Sequence, residues 1–288
     1  MMQSACILLF VVFVACTSAF QHIGVSRISR TFTCHQFMIF ASVDSALEVP
    51  QEVDVPSSAL AAPRKDSPLE RVVIILLSWL LARLIDDEVI RVEAMSKLRF
   101  NFDGFCDVTK ILLRSAGTRP EVVKIKIVAL LTSLMPVKVR EFFKEAIKQD
   151  PKLLCEQSSE WIGFGFISWL IGDTERISVN IPKESMPELL DNDVTWQSGT
   201  KLTECRFLQE SGCKSTCLHL CKMPTQAFFN EELGLPLRMT PNFDDCSCTF
   251  EFGLSPLPVE EDPAFSTPCW ATCSLAKEKE QGLTAKCN

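Results

Sequence analysis

Residues 201–252 read KLTECRFLQESGCKSTCLHLCKMPTQAFFNEELGLPLRMTPNFDDCSCTFEF, and this stretch decides the fold. KLTECRFLQ, LPLRMT and CSCTFEF alternate in polarity or carry the β-branched and aromatic residues typical of strands, as does RISVNI at 176–181. CKSTCLHLC and PTQAFFNEEL predict two short helices with a break at Pro224, because proline disfavours the α conformation at the residue before it. Gly234 is predicted to end the second helix. The pattern indicates a small antiparallel sheet covered by helices.

The residues before this region predict helices. Val72 to Ile85 are apolar except for Ser78 and Arg83, which indicates a helix that is either buried or lies at a membrane interface. RPEVVKIKIVALLTSL and VKVREFFKEAIKQD predict two amphipathic helices. In SSEWIGFGFISWLIGD we expect a further helix, capped by Ser158 or Ser159 and ended by Gly172. The predicted fold class is α+β, with a helical region at 69–174 and a cysteine-rich domain at 175–288.

The N-terminus has the composition of a targeting leader. The apolar core at 5–16 is shorter than the roughly 20 residues of a membrane span, so residues 1–19 indicate a signal peptide rather than an anchor. Residues 20–43 contain no acid but carry arginines and hydroxyl residues, as transit peptides do. Residues 44–68 are rich in proline and predict a disordered linker. The "SAF" junction resembles the bipartite leader of algal complex plastids, which implies a plastid location, with secretion as the alternative.

Composition excludes several classes of function. The net charge of -7 and the absence of a basic stripe argue against nucleic acid as a partner. The three histidines are too few for a four-histidine iron site, and two of them, His22 and His35, lie in the predicted leader. The chain shows neither a phosphate-binding glycine loop nor a nucleophile elbow. For Glu260, Glu261 and Asp262, turn and capping roles are the expected ones.

Cysteines are concentrated late in the chain, with nine of the 14 between Cys205 and Cys287. Three interpretations stay open: thiolate ligands of iron or zinc, structural disulfides, and buried inert thiols. On a straight helix, Cys213 and Cys221 would stand about 12 Å apart along the axis, so both cannot bind one ion with Cys217. We therefore expect Cys213 to lie in a loop that folds back, or one of these thiols to serve another partner such as Cys248.

The segments ECRFLQESGCKSTCLHLCKMPTQAFF, LGLPLRMTPNFDDCSCTFEFG and EEDPAFSTPCWATC resemble the C-terminal domain of the Dwarf-twenty-seven family of beta-carotene isomerases. The resemblance is close across 204–273 and weaker through FNFDGFCDVTKILLRS and ISWLIGDTE. It implies an iron-dependent plastid enzyme that interconverts all-trans and 9-cis beta-carotene. The iron is either mononuclear or part of an iron-sulfur cluster, and a hydrophobic polyene is the expected substrate. Peripheral contact with plastid membranes is also expected, whereas no catalytic side chain is assigned.

The resemblance also implies a set of metal ligands. They are Cys205, Cys213, Cys217, Cys221, Cys248, Cys269 and Cys273. Phe207, Gln209, His219 and Cys246 depart from the residues usual in plant relatives, which puts an identical substrate in doubt. His219 is expected to point away from the face of Cys217 and Cys221.

An apolar substrate channel is expected to need aromatic lining, although packing in the core is the competing interpretation. The candidates are Trp79, Trp161, Phe164, Phe166 and Trp169. The alternative function is a non-catalytic iron-sulfur or zinc protein in electron transfer or scaffolding.

Overall fold

The computed structural model describes residues 64–163, 167–267, 270 and 275. The predicted signal and transit peptides and most of the predicted linker lie outside the described residues. So do Cys269 and Cys273.

The N-terminal half consists of helices, and the first of them begins at a clear local signal. The bounds are α1 Pro68–Ala82, α2 Glu88–Ser96, α3 Phe102–Ser115, α4 Pro120–Leu134, α5 Val137–Gln149, α6 Pro151–Gly163 and α7 Ser168–Ile171. Ser67 and Glu70 form a capping box at the start of α1, in which each side chain bonds the other residue's backbone N–H. Among the described helices, none combines the length and the apolar character that crossing a membrane requires.

The prediction that Ser158 or Ser159 caps a helix is wrong. Both serines lie inside α6, which already begins at Pro151. The hydroxyl of Ser159 lies 2.9 Å from the Thr200 hydroxyl, and the Thr200 hydroxyl donates to the carbonyl oxygen of Ser159 at 2.8 Å. Ser159 suits this place because it satisfies hydrogen bonds where α6 packs on the sheet.

The C-terminal half contains a four-stranded antiparallel sheet of order β1-β2-β4-β3. The strands are β1 Thr174–Ile181, β2 Val194–Leu202, β3 Leu237–Pro241 and β4 Cys248–Phe252. These strands, together with the helices, confirm the α+β fold class.

The prediction of a strand through KLTECRFLQ is wrong beyond Leu202. There β2 ends, and the helix α8 Arg206–Ser211 follows. The whole of β2 is VTWQSGTKL, whose polar residues and Gly199 hid the strand. Gly199 is needed because a Cβ atom there would lie 2.5 Å from Cγ1 of Ile177 on the neighbouring strand.

The predicted break at Pro224 is also wrong. A continuous helix, α9, runs over 214–232, in which the α-helical segments Lys214–Thr216 and Met223–Ala227 alternate with π-helical segments Cys217–Lys222 and Phe228–Glu232. The N–H of Met223 donates to the carbonyl oxygen of Leu218, five residues earlier. Pro224 follows this widened turn, which relieves the clash that a proline ring makes in a regular α-helix. Gly234, at φ 67°, lies just beyond the end of α9, as predicted.

The structure describes some of the aromatic side chains that were proposed as channel lining, and these pack against other rings. Trp169 is buried, with its ring centroid 5.9 Å from that of Phe105, and Trp161 packs on Phe143 at 6.0 Å. Phe164 and Phe166 lie outside the described residues. These contacts place Trp169 in the core rather than along an open channel.

Candidate metal centre

A small cavity lies between the sheet and helices α8 and α9, and its floor is formed by three adjacent strands. Cys248 on β4 is paired in register with Leu202 on β2 and with Pro241 on β3. Because paired residues point to the same face of a sheet, all three side chains reach the cavity. Two residues further along β4, Phe250 pairs with Met239, and both also line it.

The roof of the cavity comes from α8 and α9. Cys205 is the N-cap residue of α8, and Cys217, Cys221 and Lys222 lie on the first π-helical segment of α9. In a π-helical turn the bonding runs from i to i+5, so the residues four and five positions after Cys217 lie on the same side. The widened turn therefore brings Cys221 and Lys222, consecutive in the chain, to the same cavity.

Four thiols thus line one enclosed space of about 10 Å3, close to what a single water molecule requires. Among the described residues that line it, Lys222 is the one with a charged side chain. The remaining lining is apolar and consists of Ile171, Leu202, Phe207, Leu208, Met239, Pro241 and Phe250.

Burial holds these thiols in their neutral form when no metal is bound. Desolvation raises the pKa of Cys205 to about 11 and that of Cys221 to about 12, and it raises the pKa of Cys217 and Cys248 well above the ordinary value. The neighbouring thiols add to the rise, and Cys217 interacts electrostatically with all three others. All four thiols line the same cavity, so the charge on any one of them acts on the others.

Some contacts act in the opposite direction and favour the thiolate forms. Backbone N–H groups of Leu208 and Phe207 bond the Cys205 sulfur and lower its pKa, and the charge of Lys222 lowers the pKa of Cys217 and Cys248. A bound cation would add to these effects, because metal ligation requires deprotonated sulfur.

Lys222 is held by a buried ion pair. Its side chain is 2% exposed, and its ammonium group contacts Oδ2 of Asp262, which is also buried. Asp262 is the N-cap of helix α10, Pro263–Ser266, where its other oxygen accepts a 3.1 Å hydrogen bond from the N–H of Ala264. The expected capping role of Asp262 is confirmed, but the sequence did not reveal its ion pair with Lys222.

The structure places the other candidate ligands elsewhere. Cys213 is fully buried in a separate cluster with Leu113 and Leu275. Cys246 is half-buried and does not line the cavity, and neither does His219. Cys269 and Cys273 lie outside the described residues, so the structure gathers four of the seven predicted ligands.

The four thiols of the cavity form no disulfide with one another. Within the described part of the chain, however, no three donors from His, Cys, Asp or Glu are close enough together to hold a single ion. Buried thiolates are established ligands of iron, but the spacing of the described donors does not bring three of them to one ion. Assignment of the metal ligands stays a prediction.

A second cavity, of about 160 Å3, lies on the other side of α9. Asp262 and Phe265 line it together with Met223, Gln226 and Asn230 from α9. The pair of Lys222 and Asp262 therefore stands between the two cavities, since Lys222 lines the first and Asp262 the second.

Helices over an antiparallel sheet, with buried thiols between the two layers, define a cysteine-rich α+β domain. Residues 169–261 match the family model described as "Beta-carotene isomerase D27-like, C-terminal". This match bears out the resemblance seen in the sequence over residues 169–261, where the chain is similar to a D27-like C-terminal domain.

Two curated relatives are similar to the chain. "Beta-carotene isomerase D27, chloroplastic" of Medicago truncatula is 37% identical over 112 residues, covering 39% of this chain and 40% of the relative. The protein of the same name from Arabidopsis thaliana is 38% identical over 112 residues, covering 38% of each chain. The chain therefore spans about two fifths of the length of these relatives. No solved structure matches the chain.

Proposed function

We propose that this protein is a plastid isomerase that interconverts cis and trans forms of a carotenoid, with all-trans to 9-cis beta-carotene as the expected reaction. The observation that carries the proposal is the match of residues 169–261 to the D27-like domain, within which four thiols line one buried cavity. Both relatives are named as chloroplastic beta-carotene isomerases, which supports the substrate class and the plastid location.

The proposed cofactor is iron, either mononuclear or in an iron-sulfur cluster. Cys205, Cys217, Cys221 and Cys248 are the described thiols that share a cavity, and they would hold the iron after moving closer together. Cys269 and Cys273 remain predicted ligands, while Cys213 faces another cluster and is the weakest member of the set. Bound iron would supply reversible electron withdrawal, which lowers the bond order of a conjugated double bond so that it can rotate.

The residues around the thiols keep the surroundings of the proposed metal dry. The rings of Phe207 and Phe250 and the side chain of Met239 exclude water from the sulfurs. A dry surrounding strengthens electrostatic effects on the metal and protects it from hydrolysis. The cavity of about 10 Å3 is far too small for a carotenoid, so the polyene must bind along another surface or enter after the cavity opens.

Metal analysis with a carotenoid assay tests the proposal. The chain, produced without its predicted leader and purified anaerobically, should contain iron and change the isomer ratio of supplied all-trans beta-carotene. Cys217→Ala should lose both properties. Cys155→Ala is the matched control, because Cys155 is equally buried but lies in α6, outside the cavity. Analysis of acid-labile sulfide distinguishes a cluster from mononuclear iron. Unchanged isomer ratios with the iron-loaded chain would refute the isomerase.

His219→Asn provides a second test of the ligand set. His219 does not line the cavity, and its ring centroid lies 6.2 Å from that of Phe265. The variant is therefore expected to keep its iron and most of its activity. Loss of iron in this variant would show that the ligand set is wrong.

A non-catalytic metal centre is the second candidate function, and the closed form of the cavity favours it. Thiols without access for a substrate suit electron transfer or structural metal binding. An iron- or zinc-loaded chain that leaves carotenoids unchanged, but exchanges electrons with a small redox dye or is stabilised by its metal, would establish this alternative.

Peripheral contact with plastid membranes is also proposed, because a carotenoid is delivered from lipid. The α2 residues Val89 and Val92 are 80% and 62% exposed, and Phe100 just beyond α2 is 62% exposed. Exposed apolar groups of this kind insert into the boundary region of a bilayer. Val89→Ser with Val92→Ser should reduce co-sedimentation with vesicles of plastid-type galactolipids, whereas Val259→Ser should not; equal binding by both variants would remove this part of the proposal.

A further inference from the structure

The second cavity, of about 160 Å3, combines an apolar wall with a few polar groups. A water molecule takes a share of about 30 Å3, so the space corresponds to about five waters, or to one small ring. The mouth of the cavity lies beside Val259, which is 46% exposed, and the exposed Glu231. The apolar wall consists of Met223, Ala227, Pro256, Leu257, Val259 and Phe265. A ligand of this cavity must therefore be largely apolar.

Gln226 presents a hydrogen-bond donor to this cavity. The residue is 7% exposed, and its Oε1 accepts a 2.7 Å hydrogen bond from the backbone N–H of Met239. A backbone N–H only donates, so this contact fixes the orientation of the amide. Within the described part of the chain, Nε2 of Gln226 has no hydrogen-bond acceptor, and it is not among the unpaired side-chain atoms that are shut off from solvent. The N–H bonds of a nearly buried amide are therefore available to a ligand.

Asn230, four residues further along α9, presents an acceptor. Its Nδ2 donates to the carbonyl oxygens of Gln226, at 2.7 Å, and Leu237, at 3.1 Å. A carbonyl oxygen only accepts, so both N–H bonds of this amide are used and Oδ1 remains. Residues four apart lie on the same face of a helix, and Gln226 and Asn230 line the same cavity. The wall therefore offers a donor and an acceptor about one helical turn apart.

The charged groups at this cavity are already paired. Asp262 contacts the ammonium group of Lys222. At the mouth, Glu231 lies 3.8 Å from Lys124. A charged ligand would leave one charge without compensation, which is costly in a buried site. A hydroxyl group both donates and accepts, so a single hydroxyl satisfies both amides. These groups therefore favour a neutral ligand with a hydroxyl.

We infer that the second cavity is a binding site for a neutral six-membered hydrocarbon ring that bears one hydroxyl group. Gln226 donates to the hydroxyl oxygen, and Asn230 accepts a hydrogen bond from it. The ring packs on the apolar wall, and a chain attached to the ring leaves through the mouth at Val259. Two sources have this chemistry, the end ring of a hydroxylated carotenoid and a free small cyclic alcohol. The carotenoid source rests on the proposed function, whereas the site itself does not.

Two compounds that differ by this hydroxyl, 3-hydroxy-β-ionone and β-ionone, test the site. In calorimetric titrations of the purified chain, the hydroxylated compound should bind about tenfold more tightly, because two net hydrogen bonds contribute about that factor. Val259→Trp narrows the mouth and should weaken the binding of both compounds about tenfold or more. Val137→Trp is the matched control, since Val137 is 58% exposed at the start of α5, outside the cavity lining.

Gln226→Met tests the donor. The variant keeps the length of the side chain and removes Nε2, so the preference for the hydroxylated compound should fall from about tenfold to about threefold. The ratio of the two affinities is the quantity to compare, because a general disturbance of the cavity would weaken both compounds alike. The variant also leaves the N–H of Met239 without its acceptor. If it does not fold, the two compounds and Val259→Trp decide the question.

Displacement of bound 3-hydroxy-β-ionone distinguishes the two sources of the ring. Displacement by zeaxanthin in detergent micelles, and more weakly by β-carotene, supports the site as one for a carotenoid end ring. No displacement by either carotenoid, with the hydroxylated ionone still bound, supports it as a site for a free cyclic alcohol.

Three results would overturn the inference. They are equal affinity for the two ionones, binding of neither, and unchanged binding by Val259→Trp. A folded Gln226→Met variant that keeps the full preference would overturn the role of its amide and the inference with it. The titrations involve neither iron nor isomerisation, so a failure here leaves the proposed function standing, and a chain that leaves carotenoids unchanged leaves the site standing.

Discussion

The backbone N–H of Cys205 donates a 2.7 Å hydrogen bond to the carbonyl oxygen of Cys246. This bond ties the start of α8 to the loop before β4, and so it joins the two segments that carry Cys205 and Cys248. Cys246 adopts the left-handed conformation, with φ 59°, which directs its carbonyl towards Cys205. Its contribution to the cavity is therefore made by the backbone rather than by its sulfur.

Two cysteines that are two residues apart should then respond differently to the same substitution. Cys246→Ala keeps the carbonyl and is expected to retain the iron content of the wild type. Cys248→Ala removes a thiol from the cavity and is expected to lose most of the iron. Elemental analysis of the two purified variants measures the difference, and an equal loss from both would contradict the division of roles.

Arg206 joins the described N-terminal segment to the cysteine-rich domain. Its guanidinium bonds both oxygens of Asp66, at 2.6 and 3.1 Å, and also the carbonyl oxygen of Trp169 at 2.8 Å. Removal of one partner from a buried ion pair leaves the other charge without compensation, which costs about 3–5 kcal/mol. Arg206→Met should lower the free energy of unfolding by about that amount in urea denaturation.

The matched variant for this pair removes both charges. In Arg206→Met combined with Asp66→Asn, the carboxylate left without its cation is that of Glu210, which is 28% exposed and so partly solvated, and the variant should recover a large part of the loss. If the double variant is as unstable as Arg206→Met alone, the packing of the arginine over the Phe102 ring, 4.0 Å away, accounts for the effect instead.

The sequence predicted the parts of this fold that depend on local patterns. Pro120 and Gly234 mark helix ends in the structure as they do in the sequence, because proline and glycine act through their own backbone geometry. Ser158 and Ser159 misled the prediction, since the same residue type that caps a helix can also satisfy a contact with Thr200 inside the fold. That contact joins residues 41 positions apart and leaves no local signal.

The candidate site also combines features that have a local signal in the sequence with contacts between distant residues that have none. The density of cysteines indicated a thiol cluster, but its membership depends on the register of β2, β4 and β3 and on a π-helical turn. Nothing in the spacing of Cys213, Cys217 and Cys221 distinguishes the first from the other two, although the structure separates it. The burial of Lys222 left no signal either, because lysine is almost never fully buried unless paired and its partner Asp262 lies 40 positions away.

Gly253 and Gly212 both have positive φ values, but only one of them is tightly packed. A Cβ atom at Gly253, at φ 99°, would lie 2.5 Å from Cδ1 of Ile181, whereas Gly212, at φ 57°, has nothing within 4 Å of that position. Gly212→Ala should therefore lower the free energy of unfolding by only about 1 kcal/mol, which is the cost of the left-handed conformation for alanine. Gly253→Ala adds a clash with the core and should cost at least about 2 kcal/mol more in thermal or urea unfolding. Equal losses would show that the strand end moves away from Ile181 without cost.

The buried thiol of Cys106 contributes stability that the chain loses at alkaline pH. It is buried in α3, and desolvation raises the pKa of its thiol to about 12. The folded state therefore keeps this proton at pH values where the unfolded chain, with an ordinary thiol pKa near 9, has lost it. The unfolded state binds fewer protons in this range, so the free energy of unfolding falls as the pH rises from about 9 towards 12, by about 1.4 kcal/mol for each pH unit.

Cys106→Ala isolates this contribution. At pH 7 the variant should be less stable than the wild type, because it leaves a small void beside the core. As the pH rises through 10 and 11, the wild type loses the extra stability of its protonated thiol while the variant has none to lose, so the difference between the two should shrink by about 1–3 kcal/mol. Urea denaturation of the metal-free proteins at pH 7, 9, 10 and 11 measures this difference. A gap that stays constant would mean that the thiol titrates alike in both states, and that burial in α3 does not protect its proton.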